Sequence, residues 1–249
     1  MKSIDPSNSS DSSSSQYRKT KKLSLGKYCR AISLGYRCST YWQLNYHFGE
    51  QEAYLFDHLV TTFSGLVRAF ETDFKDWCRR ENLKTTIYPG GRYTVHDTAA
   101  EVFFHHDFKE IEYAELSKHS KLLDKLYPEV ASKYEYKIKK LRNILASNEP
   151  LLFVRLGPDL TLPDEKRGGY LTMEQANTLP SLIRQRNPSR KFCVLYINAI
   201  DPNTTQHSLD PAVRHAIMSE RYTGKSRDAW KGDPDKWFQA FASAGLEIY

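Results

Sequence analysis

The apolar positions of this chain fall into two kinds of run. Unbroken apolar stretches lie within Ala31–Leu34, Pro150–Leu156 and Lys191–Asn198. They are too short for helices and predict strands buried on both faces. Elsewhere the apolar residues recur at helical spacing. Tyr41, Leu44 and Phe48 mark one short helix. A longer helix is predicted over Phe63–Arg80, with Leu66, Val67, Phe70, Phe74, Trp77 and Cys78 on one broad face. Met173–Arg186 turns Leu179, Leu182 and Ile183 inward. Pro211–Tyr222 reads as a further helix, and Trp230–Ala244 as a terminal one using Trp237, Phe238 and Phe241. Glu115–Ala146 is helical but broken at Tyr127-Pro128, where Pro128 suits the first position of a second helix. Tyr93–Val95 and Glu101–Phe108 read as extended.

The strand, helix, strand order near the C-terminal end implies a parallel βαβ unit. The expected fold is therefore α/β, a central mixed sheet flanked by helices. Composition is enough to bury a real core in one large or two small domains: the chain has 249 residues, 40% hydrophobic and 13% aromatic. Residues 28–249 are expected to form a single domain. Residues 1–27 are expected to be a disordered tail, rich in serine to Gln16 and then basic at Arg18, Lys19, Lys21, Lys22 and Lys27. Such a Ser-rich, polar start resembles the N-termini of bacterial effectors injected into host cells. No apolar run reaches roughly 18 residues, and the N-terminus has no apolar signal region, so neither a membrane span nor a cleaved signal is expected. The expected location is a bacterial cytoplasm, with delivery into a host cell as the alternative.

The formal net charge of +6 and pI of about 9.0 permit an acidic or phosphate-bearing partner. They do not require nucleic acid, for which no motif is present. The four cysteines, at 29, 38, 78 and 193, form no Cys-x-x-Cys pair, so no metal site is expected. A monomer acting on a protein substrate, without a cofactor, fits these features.

Candidate chemistry centres on Cys38. The apolar run ending at Leu34 is followed by Gly35, which permits a tight reversal, and Ser39 and Thr40 are good helix starters. This order places the Cys38 sulfur at the positive end of a helix dipole beside Arg37, and both favour thiolate. The bland alternative is a small buried hydrophobe. Cys78 and Cys193 sit in apolar patterns and read as core. Strand alternation across Phe104-His105-His106-Asp107-Phe108 places His106 between two phenylalanines and His105 on the opposite face. His106 is either a packed or surface residue or a general base for Cys38. Asp57 is either a cap for the helix that follows or the carboxylate that orients the imidazole; Asn198 and Asp201 are other candidates for that role. Arg37 and Arg155 are candidate substrate-holding cations.

Taken in order, Ser33-Leu34-Gly35-x-x-Cys38, Phe56-Asp57, Phe104-His105-His106-Asp107-Phe108, Lys133-Tyr134 to Arg142 and Leu152-Phe153-Val154-Arg155 resemble a bacterial family of papain-like cysteine peptidases. The resemblance covers residues 30 to 200. It implies a papain-like α+β variant of the fold, with the nucleophile on Cys38 and the histidine on His106. Where that family usually has Pro-Phe-Asp-Trp, this chain has Leu55-Phe56-Asp57-His58. Peptidase, amidase, deamidase and acyltransferase all use the same thioacyl chemistry. Two other readings remain. One is an NAD-dependent ADP-ribosyltransferase using Arg37 and Glu220, though its usual Ser-Thr-Ser and Glu-x-Glu signals are absent. The other is a non-enzymatic adaptor that kept the fold.

Overall fold

A computed structural model describes residues 23–88, 91–157, 169–201, 203–205, 208–218 and 229–246. Strand β1 (Arg30–Ser33) leads through a turn into α1 (Cys38–Phe48), followed by β2 (Val60–Thr61) and α2 (Phe63–Glu71). Strands β3 (Leu83–Tyr88), β4 (Arg92–Asp97) and β5 (Val102–Phe104) come next, then a single turn α3 (Lys109–Glu112) and the long α4 (His119–Ala146). The described chain ends with β6 (Leu151–Leu156), α5 (Met173–Arg186), β7 (Phe192–Ile197), β8 (Val213–Ala216) and α6 (Pro234–Ser243).

The fold class is α/β, as the sequence implies. The parallel and antiparallel pairings are divided between two four-stranded sheets. One has the order β1-β6-β7-β8 and the other β2-β5-β4-β3. The first is parallel throughout, and the second antiparallel. The reason is connectivity. Strands β3, β4 and β5 follow one another through short links that reverse the chain, whereas β6 and β7 are joined through α5.

The parallel sheet is covered on both sides, which explains its unbroken apolar runs. Leu151, Phe153, Val194, Tyr196 and Val213 point into a core shared with Phe70, Leu141 and Leu179 from α2, α4 and α5. Their neighbours Leu152, Val154, Leu195 and Ile197 point the other way, against Leu44 of α1 and Trp237 and Phe241 of α6. The antiparallel sheet contributes Val95, Val102 and Phe104 to the first of these cores. Leu23 is buried and its N–H donates to the His47 carbonyl at 3.1 Å, so ordered packing begins before residue 28. Residues 1–22 lie outside the described residues.

Four elements differ from the sequence expectation. Helix α2 stops at Glu71 rather than Arg80, because Asp73, Phe74 and Cys78 take left-handed backbone conformations. Phe74, Trp77 and Cys78 are still core, but a turn delivers them, anchored where Arg142 pairs with Asp73 at 3.0 Å. Tyr127-Pro128 does not break α4, which runs unbroken through Pro128. Its buried stripe continues on both sides of the proline, from Leu123 through Val130 and Tyr134 to Leu145, so packing outweighs one lost backbone bond. Pro211–Tyr222 holds strand β8, whose Val213–Ala216 pairs in parallel with β7, and residues 219–228 lie outside the description. The terminal helix starts at Pro234, where Asp233 caps it by accepting from the Asp235 N–H at 2.9 Å.

Candidate active site

The end of β1 is built as a fixed turn. Gly35 has φ +77°, and a Cβ there would stand 2.5 Å from Thr61 Oγ1, so both conformation and space require glycine. Tyr36 follows with φ 75°, and its N–H donates to Thr61 Oγ1 at 3.2 Å. Beneath the turn lies Arg155, only 3% exposed. Its guanidinium donates to the Leu34 carbonyl, to Thr61 Oγ1 and to the Thr61 carbonyl, each at 2.7 Å. Arg155 is thus a peg between β6 of the parallel sheet and β2 of the antiparallel sheet. It does not line the cleft described below.

The turn delivers Cys38 as the first residue of α1, with Arg37 in the extended position before it. The N–H groups of Cys38 and Ser39 and the Arg37 charge all favour the thiolate. Burial outweighs them and holds the thiol above its ordinary pKa. The lowered thiol pKa expected from the helix position is therefore not found in the free protein.

Cys38 opens into a cleft of about 910 Å³ lined also by Arg37, His58, Tyr88, His105, His106 and Trp230. Its imidazoles come from two places. His58 sits just before β2, edge-on to Tyr41 at 5.0 Å and to His106 at 6.0 Å between ring centroids. His105 and His106 both reach the cleft, contrary to the alternation pattern, because β5 ends at Phe104 and His105–Asp107 form a turn. His106 is exposed, while His105 is half-buried edge-on to Tyr88, with ring centroids 4.0 Å apart. His105 Nε2 has no hydrogen-bond partner among the described residues. Burial pushes His58 and His105 down to about 4 and also lowers His106. Neighbouring positive charges push the same way: Lys137 and Lys133 on His58, Arg37 on His105, Lys109 and Lys133 on His106. All of these shifts favour the uncharged imidazole.

Asp57 is not in this cleft. It is 1% exposed, accepts a hydrogen bond from the Tyr54 N–H, and reaches no histidine among the described residues. Burial raises its pKa to about 7, against the opposing charges of Lys137 and Lys140. Nor does it cap α2, since Thr62 does so by accepting from the Gly65 N–H at 2.9 Å. The carboxylate beside the imidazoles is Asp107, whose charge opposes the lowering of both His58 and His106. Asp107 accepts from the Tyr134 hydroxyl at 2.8 Å and from Lys133. Its sequence signal was adjacency to His106. Asn198 instead ties β7 to β8, donating to the Met218 carbonyl at 2.8 Å and accepting its N–H at 2.7 Å. Asp201 accepts from the Asn203 N–H at 2.8 Å. Neither lines the cleft. Glu220 lies outside the described residues, so the pairing with Arg37 that a transferase would need has no geometry here. Among the described residues no group of three or more His, Cys, Asp or Glu side chains is arranged to hold a metal ion.

A family model described as "Putative papain-like cysteine peptidase (DUF1796)" matches residues 29–201. The chain belongs to this family. The match spans Cys38 and all the cleft histidines of the papain-like cysteine peptidase family member, but it ends before Trp230 and α6. The chain has no match among curated proteins or among solved structures.

Proposed function

We propose that the chain is a thiol enzyme that transfers acyl groups from a protein substrate, either to water, as a peptidase or amidase, or to another nucleophile. The observation that carries this reading is the position of Cys38. It stands at the first residue of α1 and opens into the same cleft as the imidazoles. A thiol held up and imidazoles held down in pKa start as a neutral pair, so the imidazole takes the proton as sulfur attacks. Sulfur bonds to the carbonyl carbon, the carbonyl oxygen becomes an oxyanion, and the thiol proton passes to His106. The N–H at the start of α1 is available to the oxyanion. His106 then protonates the leaving amine as its bond to carbon breaks, leaving a thioester for water or a second nucleophile.

His105 is a second candidate for the base. Its unpartnered Nε2 and its electrostatic neighbour Arg37, adjacent to Cys38 in sequence, favour it.

The test is acylation by an activated ester, read as a burst of released alcohol and as mass added at Cys38, in a Cys29→Ser background because Cys29 is an exposed thiol. Cys38→Ser should abolish the burst. Removing the true base, by His106→Ala or His105→Ala, should slow it by about a hundredfold or more. A burst that survives Cys38→Ser sinks the mechanism.

A further inference from the structure

The cleft that holds Cys38 is strongly one-signed. Among the described residues its wall carries Arg37 before α1, Arg92 on β4, Lys109 on α3 and Lys133 on α4, against one acidic side chain, Glu112. Glu112 accepts from Arg92 at 2.8 Å, and Lys133 is paired with Asp107, whose side chain lies behind the wall. Arg92 and Lys133 are thus each paired with a carboxylate, whereas the Lys109 side chain makes no ion pair or hydrogen bond among the described residues. The histidines respond to this field, since Lys109, Lys133 and Arg37 all act to keep them uncharged. A concave site lined by one sign of charge concentrates ligands of the other sign. The remaining wall is apolar or aromatic, with Leu59, Val60, Tyr93 and Trp230.

We propose that the peptide segment bound in this cleft carries a negatively charged side chain, carboxylate or phosphate, close to the group that Cys38 attacks, and that Lys109 and Arg92 hold it. The aromatic and apolar wall takes uncharged residues on either side. The proposal rests on the thiol-enzyme reading for the chemistry at Cys38, but its charge preference can be measured without that chemistry.

The experiment uses the full chain carrying Cys38→Ser and three blocked peptides, identical except for a central glutamate, phosphoserine or glutamine. Calorimetric titration at low ionic strength should show at least one anionic peptide binding about tenfold or more tighter than the glutamine peptide. The tighter of the two anionic peptides identifies the source of the charge. Lys109→Gln should bring the anionic-to-neutral ratio down toward one, and added salt should do the same. Lys109 is exposed, so this variant removes charge without touching the core. Equal binding of the glutamine peptide, binding of none of the three, or a ratio unchanged by Lys109→Gln overturns the proposal. Because the titration uses Cys38→Ser, a charge preference without acylation of the parent chain would fail the thiol reading alone.

Discussion

The two sheets of this protein are built for different tasks. In the parallel sheet every residue of β6 is buried, and all of β7 except Phe192. In the antiparallel sheet β3 has only Leu83 fully buried, and β4 mixes exposed Arg92 with buried Val95 and Asp97. The parallel sheet supplies stability and the thiol of Cys38, delivered from the end of β1. The antiparallel sheet and its connections supply His58, His105 and His106. The candidate site needs the two held in register, and they are joined by a shared core, by Arg155 on Thr61 and by the Tyr36 N–H on Thr61 Oγ1. Stability and site geometry should therefore be separable by mutation.

Phe153→Ala should give the largest stability loss, about 3–5 kcal/mol, because a fully buried ring leaves a cavity in the larger core. Urea unfolding measures it, and the acylation burst per folded molecule should be unchanged. A burst that falls with stability would mean the parallel core and the site are not separable. Arg155→Leu should cost about 3 kcal/mol, since the Leu34 carbonyl and both Thr61 oxygens lose a charged donor. Unlike Phe153→Ala, it should also cut acylation about tenfold or more in the folded fraction, by loosening the sulfur relative to the imidazoles. Retained acylation would show that something other than Arg155 sets the register.

Gly35→Ala should cost about 1–3 kcal/mol, from a side chain forced to positive φ against Thr61. Its acylation rate should fall between those of the other two variants. The smallest effect is a pH slope. Imidazoles in the unfolded chain titrate at about 6.5, whereas folded His47, His58 and His105 are pushed down to about 4. Between those values the unfolded chain binds more protons, so these groups make stability fall as pH drops from neutral toward 4. Asp57, raised to about 7, works in the opposite sense and offsets part of the slope. His47 is packed against Phe241 at 5.5 Å and does not line the cleft, so His47→Phe should flatten the slope of Tm against pH without changing acylation. An unchanged slope would remove His47 from the acid response.

The difference between the sheets also decided what the sequence could show. Strands β6 and β7 and helix α5 were legible because burial on both faces, or along one clean stripe, leaves a pattern independent of neighbours. Strand β8 looks helical in sequence because its pairing with β7 is a tertiary fact and its run is too short to carry a period. Cys38 at a helix start was legible from the glycine turn. The reach of both His105 and His106 into one cleft was not, because alternation holds only while a strand continues and β5 ends at Phe104. Asp57 and Arg155 look functional in sequence because charge in an apolar setting is conspicuous. Only three-dimensional contacts show Arg155 pegging a turn and Asp57 accepting from the Tyr54 N–H without reaching a histidine among the described residues.

The Gln43 side chain donates to the Lys231 carbonyl at 2.8 Å, and the Lys231 ammonium lies 5.4 Å from the Trp42 ring centre. Helix α1 and the segment bearing Trp230 are thereby bolted into one block. Cys38 and Trp230, which both line the cleft, ride on that block together. Displacing Lys231, which does not itself line the cleft, should therefore be felt at Cys38 through the body of α1.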